Sequence, residues 1–328
     1  MKPLVSVIVP CYNEQATIRL LLDAIACQSY PREQVEVIVA DGLSTDKTRD
    51  EVAAFHQVYP DLVLMVVDNI KRTIPSGLNT AISVAKGSVI LRLDGHSIPQ
   101  SDYIERCVSA LEQGLGDNVG GVWEMRPGNS GWISRAIATV AAHPLGVGDA
   151  LYRFTKQAGI VDTVPFGAFK RELLDRIGGF DETLRANEDY EFNVRIRKAG
   201  GRIWLDPAIR SVYFTRPTLG GLAQQYWRYG YWKARMLKRY PGTVRWRQAL
   251  PPLFLCSLAG LLLLSIWFSI ARFLLLFEVL VYLGVLVIAA TQLAVRQKAP
   301  SYLIGAPLAI TTMHFSWASG FLWSLVSP

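Results

Sequence analysis

Short apolar runs alternate with stretches of helical spacing along the first hundred residues. The runs at 4–9, 35–40, 62–67 and 88–93 are rich in Val, Ile and Leu, as strands buried on both faces are. Between them, the apolar positions of 15–28, 45–57 and 75–86 recur at helical spacing. Ser44 is placed to cap the second of these helices, Pro75 to open the third and Gly87 to stop it. Alternation of this kind predicts an α/β fold of mainly parallel strands with right-handed crossovers. A further helix is expected over 188–198, stopped by Gly200-Gly201 ahead of a strand at 202–205.

Beyond residue 248 the pattern changes. Residues 249–270 and 302–326 carry no charge, and 273–295 carry only Glu278. Each run is long enough to cross a hydrocarbon core as a helix, so about three transmembrane helices are expected, the first two as a hairpin turning near Arg272. Arg245, Arg247, Arg296 and Lys298 flank the spans on one side, which by the positive-inside rule places the N-terminal body in the cytoplasm. Val5–Val9 is too short for a signal peptide and meets Pro10 at once. A hairpin that dips into the bilayer without crossing is the other reading of these runs. The expected organisation is a catalytic domain over 1–218, basic aromatic interfacial helices over 219–248, and a membrane region over 249–328.

Composition narrows the class. With 328 residues, 51% hydrophobic and 19% charged, the chain is neither disordered nor fibrous. Its four cysteines include no CxxC pair, which argues against a structural zinc site. The net charge of +7 is concentrated: 207–250 hold nine basic residues and no acidic one, whereas the preceding body is slightly acidic. That collar, with Tyr226, Trp227, Tyr229, Tyr231 and Trp232, suits a helix lying at anionic headgroups. The acidic body argues against a nucleic-acid partner.

In parallel sheets ligands bind beyond the carboxyl ends of the strands. The residues there are Pro10-Cys11-Tyr12-Asn13-Glu14, Asp41, Asp68-Asn69 and Asp94-Gly95-His96. No GxGxxG follows the first strand and no Walker sequence occurs, which counts against dinucleotide oxidoreductases and P-loop enzymes. Clustered carboxylates need a cation or a set of donors, and the pattern suits a nucleotide held partly through a metal. Asp94 with His96 suits Mn²⁺ well and Mg²⁺ less well. Glu188 and Asp189 open the later helix, where they either complement its dipole or supply a general base.

Taken in order, Val7-Ile8-Val9-Pro10-Cys11-Tyr12-Asn13-Glu14, Ala40-Asp41-Gly42-Leu43-Ser44-Thr45-Asp46, Leu93-Asp94-Gly95-His96, Phe166-Gly167-Ala168-Phe169, Asn187-Glu188-Asp189 and Gln225-Tyr226-Trp227-Arg228-Tyr229 resemble family 2 glycosyltransferases. The resemblance covers about residues 4–240 and is to membrane-bound enzymes of the succinoglycan-biosynthesis type. It implies a GT-A fold and inverting transfer of a hexose, with glucose expected, from a nucleotide-diphosphate sugar such as a UDP-sugar. The acceptor it implies is a hydroxyl of a lipid-linked saccharide, at the cell's inner membrane.

Position by position, the resemblance puts Pro10, Tyr12 and Glu14 at the base and ribose and Asp41 on the nucleobase. Asp94 and His96 become the divalent-metal ligands, with His96 standing where many relatives have Asp. Asp189 becomes the catalytic base and Glu188 its support. Gln225, Arg228 and Tyr229 correspond to the Q-x-x-R-W signature near the donor diphosphate, Tyr229 replacing Trp. Phe166, Gly167 and Ala168 fall on the acceptor side. A processive polysaccharide synthase, a polyprenyl-phosphate glycosyltransferase and a membrane scaffold that keeps a nucleotide pocket are the competing expectations.

Overall fold

A computed structural model describes residues 2–327. Along the chain run β1 Val5–Cys11, α1 Ile18–Ala26, β2 Val35–Asp41, α2 Thr48–Val58, β3 Val63–Asp68, α3 Ile74–Val84, β4 Val89–Arg92, β5 Ser97–Pro99, α4 Tyr103–Glu112 and β6 Asn118–Arg126. There follow α5 Trp132–Val140, α6 Pro144–Val147, β7 Gly159–Ile160, β8 Ala168–Lys170, α7 Leu173–Ile177, α8 Glu188–Lys198 and β9 Ile203–Phe214. The last four helices are α9 Leu219–Arg239, α10 Trp246–Leu264, α11 Ser269–Gln297 and α12 Tyr302–Val326. The chain divides into two compact units, Met1–Glu124 with Leu151–Tyr213, and Met125–Ala150 with Phe214–Pro328.

In the first unit one sheet runs β3-β2-β1-β4-β8-β6-β9-β5, with β7 added to β9. The four strands expected from the apolar runs are parallel to one another. The pairs β4–β8, β6–β8, β5–β9 and β7–β9 are antiparallel. Alternate residues explain the layering. Val5, Val7, Val9, Val37, Val39 and Leu91 face one core with α1, α2 and α4. Ile8, Ile38 and Ile90 face the other with Leu78 and Ala81 of α3 and Phe192 and Ile196 of α8. Burial on both sides is why β1, β2 and β4 read as unbroken apolar runs, whereas β3, at the sheet's edge, is largely exposed despite its apolar run.

The register aligns Cys11 with Asp41 and Asp41 with Asp68, so their carboxyl ends lie side by side. Details of the helix ends differ from expectation. Ser44 does not cap α2; its hydroxyl and amide are engaged by Asp41. Thr73 caps α3 through the Ser76 amide, and Pro75 sits in its first turn as expected. Gly87 lies beyond the end of α3, where a Cβ would come 2.6 Å from the Ser6 amide nitrogen; close approach, rather than helix termination, requires the glycine there. The strand expected at 202–205 continues to Phe214.

The second unit is helical. Its core joins Ala136, Ile137 and Val140 of α5, Leu222 and Tyr226 of α9, Leu286 and Leu293 of α11, and Ala306, Ile310 and Met313 of α12. Gly230 of α9 meets the Trp317 backbone and Gly320 of α12 meets the Trp227 backbone, so these two helices cross where neither has a side chain. Among the described residues, α10 and α11 are long and apolar enough to cross a membrane. The third expected span, α12, is broken in polarity by Thr311, Thr312, His314, Ser316 and Ser319 and packs against α5, α9, α10 and α11. Sequence order also conceals that 125–150 belong with the helices and that the unit begins at Phe214.

Candidate active site

An arginine ends the apolar strand β4. Arg92 is buried, yet its guanidinium meets two carboxylates. Nε and Nη2 lie 3.2 and 3.1 Å from Oδ1 of Asp94, and Nη2 donates to Oε1 of Glu188 at 2.8 Å. Glu188 is presented at the start of α8 by Asn187, which takes the left-handed conformation at φ 63°. Asp189 follows, its Oδ1 accepting the Tyr190 amide at 2.7 Å.

Two carboxylates thus share one buried guanidinium and the charge of Asp189 acts on it as well, which leaves the cluster with excess negative charge. Burial, with the Glu188 charge beside it, pushes the Asp189 carboxyl up to about 6; Arg92 and the Tyr190 amide pull the other way, and Asp94 adds to the rise. Asp94 and Asp189 are therefore electrostatic neighbours, as the expected chemistry requires. A partly buried carboxylate with a raised pKa is suited to accept a proton near neutral pH.

The turn after β4 brings His96 to β1. Its Nδ1 lies 2.9 Å from Oε1 of Glu14, whose Oε2 accepts the Thr17 hydroxyl at 2.6 Å. Such a carboxylate commonly orients a metal-binding imidazole from behind. The edge of the Tyr213 ring also approaches His96, with centroids 6.0 Å apart. Among the described residues no three His, Cys, Asp or Glu side chains gather as a metal site. The excess carboxylate charge and the Asp94 oxygen still fit a Mn²⁺ or Mg²⁺ ion that takes most ligands from phosphate and water, the usual habit of Mg²⁺ at phosphate sites.

The expected donor residues divide. Tyr12 is 46% exposed beside β1, with the Arg72 guanidinium 5.9 Å from its ring centroid. Pro10 lies in β1 beneath it and Glu14 is committed to His96 and Thr17. Asp41 departs from expectation: it is wholly buried, and its carboxyl is taken by Ser44 and Arg49, which also reaches Asp68. Asp41 therefore ties down the loop and presents no open carboxylate. Asn13 completes that tie by accepting the Thr45 amide and donating its own to Ser44. Burial, with Glu14 and Asp41 near it, pushes the Cys11 thiol far up, so it is a neutral packing group.

Phe166 and Ala168 are buried, and Gly167 between them is only partly exposed. Phe166 is 3% exposed with φ 55° and packs on Trp123 at 5.3 Å. The Gly167 carbonyl accepts the Arg92 amide at 3.1 Å, and Ala168 pairs with Leu91. These residues brace the strand that carries Arg92. Gln225, Arg228 and Tyr229 lie on α9 of the helical unit, where Gln225 Nε2 donates to the Tyr229 hydroxyl at 3.0 Å and Arg228 is exposed. Sequence reasoning missed Arg92, although a lone charge inside the apolar run 88–93 was its signal.

Comparison with known proteins places these features. The model of the family described as Glycosyl transferase family 2 matches residues 6–178. The succinoglycan biosynthesis protein ExoA of Rhizobium meliloti (strain 1021) is 30% identical over 320 residues, covering 96% of this chain and 93% of that protein. The dolichyl N-acetyl-alpha-D-glucosaminyl phosphate 3-beta-D-2,3-diacetamido-2,3-dideoxy-beta-D-glucuronosyltransferase of Methanococcus voltae is 26% identical, covering 98% of this chain and 97% of its own. Among solved structures, the mannosyltransferase PcManGT from Pyrobaculum calidifontis, in complex with GDP-Man and Mn2+, superposes with a TM-score of 0.68 at 24% identity, covering 99% of this chain and 88% of that one. The shared fold is GT-A.

Proposed function

We propose that this chain, which belongs to glycosyl transferase family 2 and is a glycosyltransferase, moves one hexose with inversion from a UDP-sugar to a hydroxyl of a lipid-linked saccharide. The observation that carries the proposal is the joining of Asp94 and Glu188-Asp189 through the buried Arg92. It puts a phosphate-side carboxylate and a candidate base in one charge cluster. Asp189 accepts the proton of the attacking hydroxyl, since its carboxyl at about 6 is ionised near neutral pH while still basic enough to take a proton. Glu188 is held to Arg92 and keeps its charge beside the base, which raises the basicity of Asp189.

The exposed Tyr12 ring with Arg72 beside it receives the nucleobase. A divalent ion bound by Asp94, with His96 oriented by Glu14, would stabilise the charge that gathers on the leaving diphosphate. The roles of Gln225, Arg228 and Tyr229 toward donor and acceptor rest on their sequence signature. Glucose is the hexose we assign, and the acceptor class is supported by the lipid-linked substrate in the name of the Methanococcus voltae relative. The apolar α10 and α11 support a multi-pass protein of the inner membrane with its catalytic unit in the cytoplasm.

The test is a panel of UDP- and GDP-sugars with Mn²⁺ and a lipid-linked acceptor, read by product mass and by the anomeric configuration of the new linkage. One added hexose of inverted configuration is expected, best from UDP-glucose. A ladder of products, or retained configuration, overturns the reading.

A further inference from the structure

The helical unit contains an apolar cavity unrelated to the carboxylate cluster. It measures about 230 Å³ and is lined by Leu237 of α9, Pro252, Leu253 and Cys256 of α10, and Phe321 and Leu325 of α12. Among its lining residues only Gln248 carries a polar amide, and Pro252, one of two adjacent prolines in α10, forms part of the wall. Compared with the roughly 300–1,000 Å³ of ordinary ligand pockets it is small, so it suits a short stretch of hydrocarbon.

The surroundings select the other end of the ligand. Lys238 follows the lining residue Leu237, and its Nζ donates to the Ser324 carbonyl at 3.0 Å, which ties the ammonium to the α12 segment that contributes Phe321 and Leu325. Arg245 is the N-cap of α10, its amide held by the side chain of Gln248, another lining residue. Arg239 completes the basic turn. Neither 214–277 nor 302–326 contains a single acidic residue. An apolar slot on segments that carry Lys238, Arg239 and Arg245 next to its lining residues, and no acidic residue, is complementary to a hydrocarbon chain carrying a phosphate.

We propose that this cavity binds the phosphate-proximal isoprene units of a polyprenyl carrier, the lipid portion of the acceptor. The inference rests on the acceptor class given above, and it adds where and by which segment the lipid is recognised. Membrane phospholipid is the competing occupant. Only the first units fit a slot of this size, so recognition reads the branched chain next to the phosphate, while the remaining tail stays in the bilayer.

Cys256 in the cavity wall is exposed and serves as a reporter. Full-length Cys27→Ser protein, which removes the other exposed thiol, is labelled with a maleimide in phosphatidylcholine nanodiscs. Farnesyl phosphate is expected to slow labelling at least about fivefold, whereas inorganic phosphate and the unbranched dodecyl phosphate do not. Leu253→Trp, at a side chain 63% exposed and thus tolerant of size, is expected to abolish protection. It should also raise the acceptor KM about tenfold with kcat and the donor KM unchanged. Lys238→Gln is expected to weaken protection by farnesyl phosphate. Equal protection by dodecyl phosphate assigns the cavity to membrane lipid and overturns the proposal, as does no protection by either. Labelling is read without turnover, so a protein that shows protection but transfers no sugar to lipid-linked acceptors refutes the function and leaves the cavity assignment standing.

Discussion

Nη2 of Arg92 lies 2.8 Å from Oε1 of Glu188, across 96 positions of sequence, and the same nitrogen lies 3.1 Å from Oδ1 of Asp94. One buried guanidinium therefore ties the end of β4 to the first turn of α8. The two segments that carry the expected chemistry are held together by this one side chain.

Removing that charge has a defined signature. Arg92 lowers the Asp189 pKa, so Arg92→Met should move the acidic limb of the pH–rate profile upward and reduce kcat. The lost partner of buried carboxylates should also cost stability, on the order of 3–5 kcal/mol. Arg92→Lys keeps the charge and should restore the limb partly. Profiles of wild type, Arg92→Met and Arg92→Lys measured side by side check this; an unmoved limb in the Met variant means Arg92 only fills space.

The pH dependence of wild type follows from Asp189. Its carboxyl is raised in the fold to about 6, and transfer needs the carboxylate. Activity should be level above that value and fall about tenfold per unit below it. Stability runs the opposite way. A raised acid contributes most at low pH, below its ordinary range, and that contribution is lost as pH rises through about 6. Asp189→Asn should flatten this part of the stability curve, which chemical denaturation from pH 4 to 8 measures.

Asp94→Ala removes the one carboxylate that stands at the end of β4. Calorimetry of UDP binding with Mn²⁺ and with chelator should show a metal-dependent gain in wild type and none in the variant. A variant that keeps the gain locates the ion elsewhere.

Gly167→Ala places a Cβ against the Asn118 side chain, which is itself bonded to Asn193 of α8 at 2.7 Å. Overpacking there should cost about 1–3 kcal/mol and lower thermal stability. Since the Gly167 carbonyl accepts the Arg92 amide, kcat should fall as well. Asn118→Gly in the same chain relieves the collision, and recovery of both quantities checks the cause.

The parallel strands and their partner helices were legible from their apolar patterns, and α8 was placed at Glu188–Lys198 from Phe192, Val194 and Ile196 and the Gly200-Gly201 stop. Asp94, Glu188 and Asp189 were legible as candidates from residue type and place in the chain. Their union was not, because an ion pair between residues 92 and 188 leaves no local pattern. Asp41 misled for a related reason: a strand-end carboxylate reads the same whether it faces a ligand or, as here, Arg49 and Ser44. The helical unit hid its membership, since 125–150 join it from before the last strands. Its lack of charge made α12 look like α10 and α11, although its Thr, Ser and His residues lower its apolarity and it packs against α5, α9, α10 and α11.

The central claim is that Asp189 takes the proton while the donor is held by other residues. Measuring donor affinity and single-turnover transfer on Asp189→Asn, which keeps shape and removes the base, tests it most directly. The account predicts nucleotide-sugar binding within about twofold of wild type and a transfer rate lower by about 10²–10⁴. Transfer at the wild-type rate, or donor affinity lost in the same proportion as turnover, would contradict it.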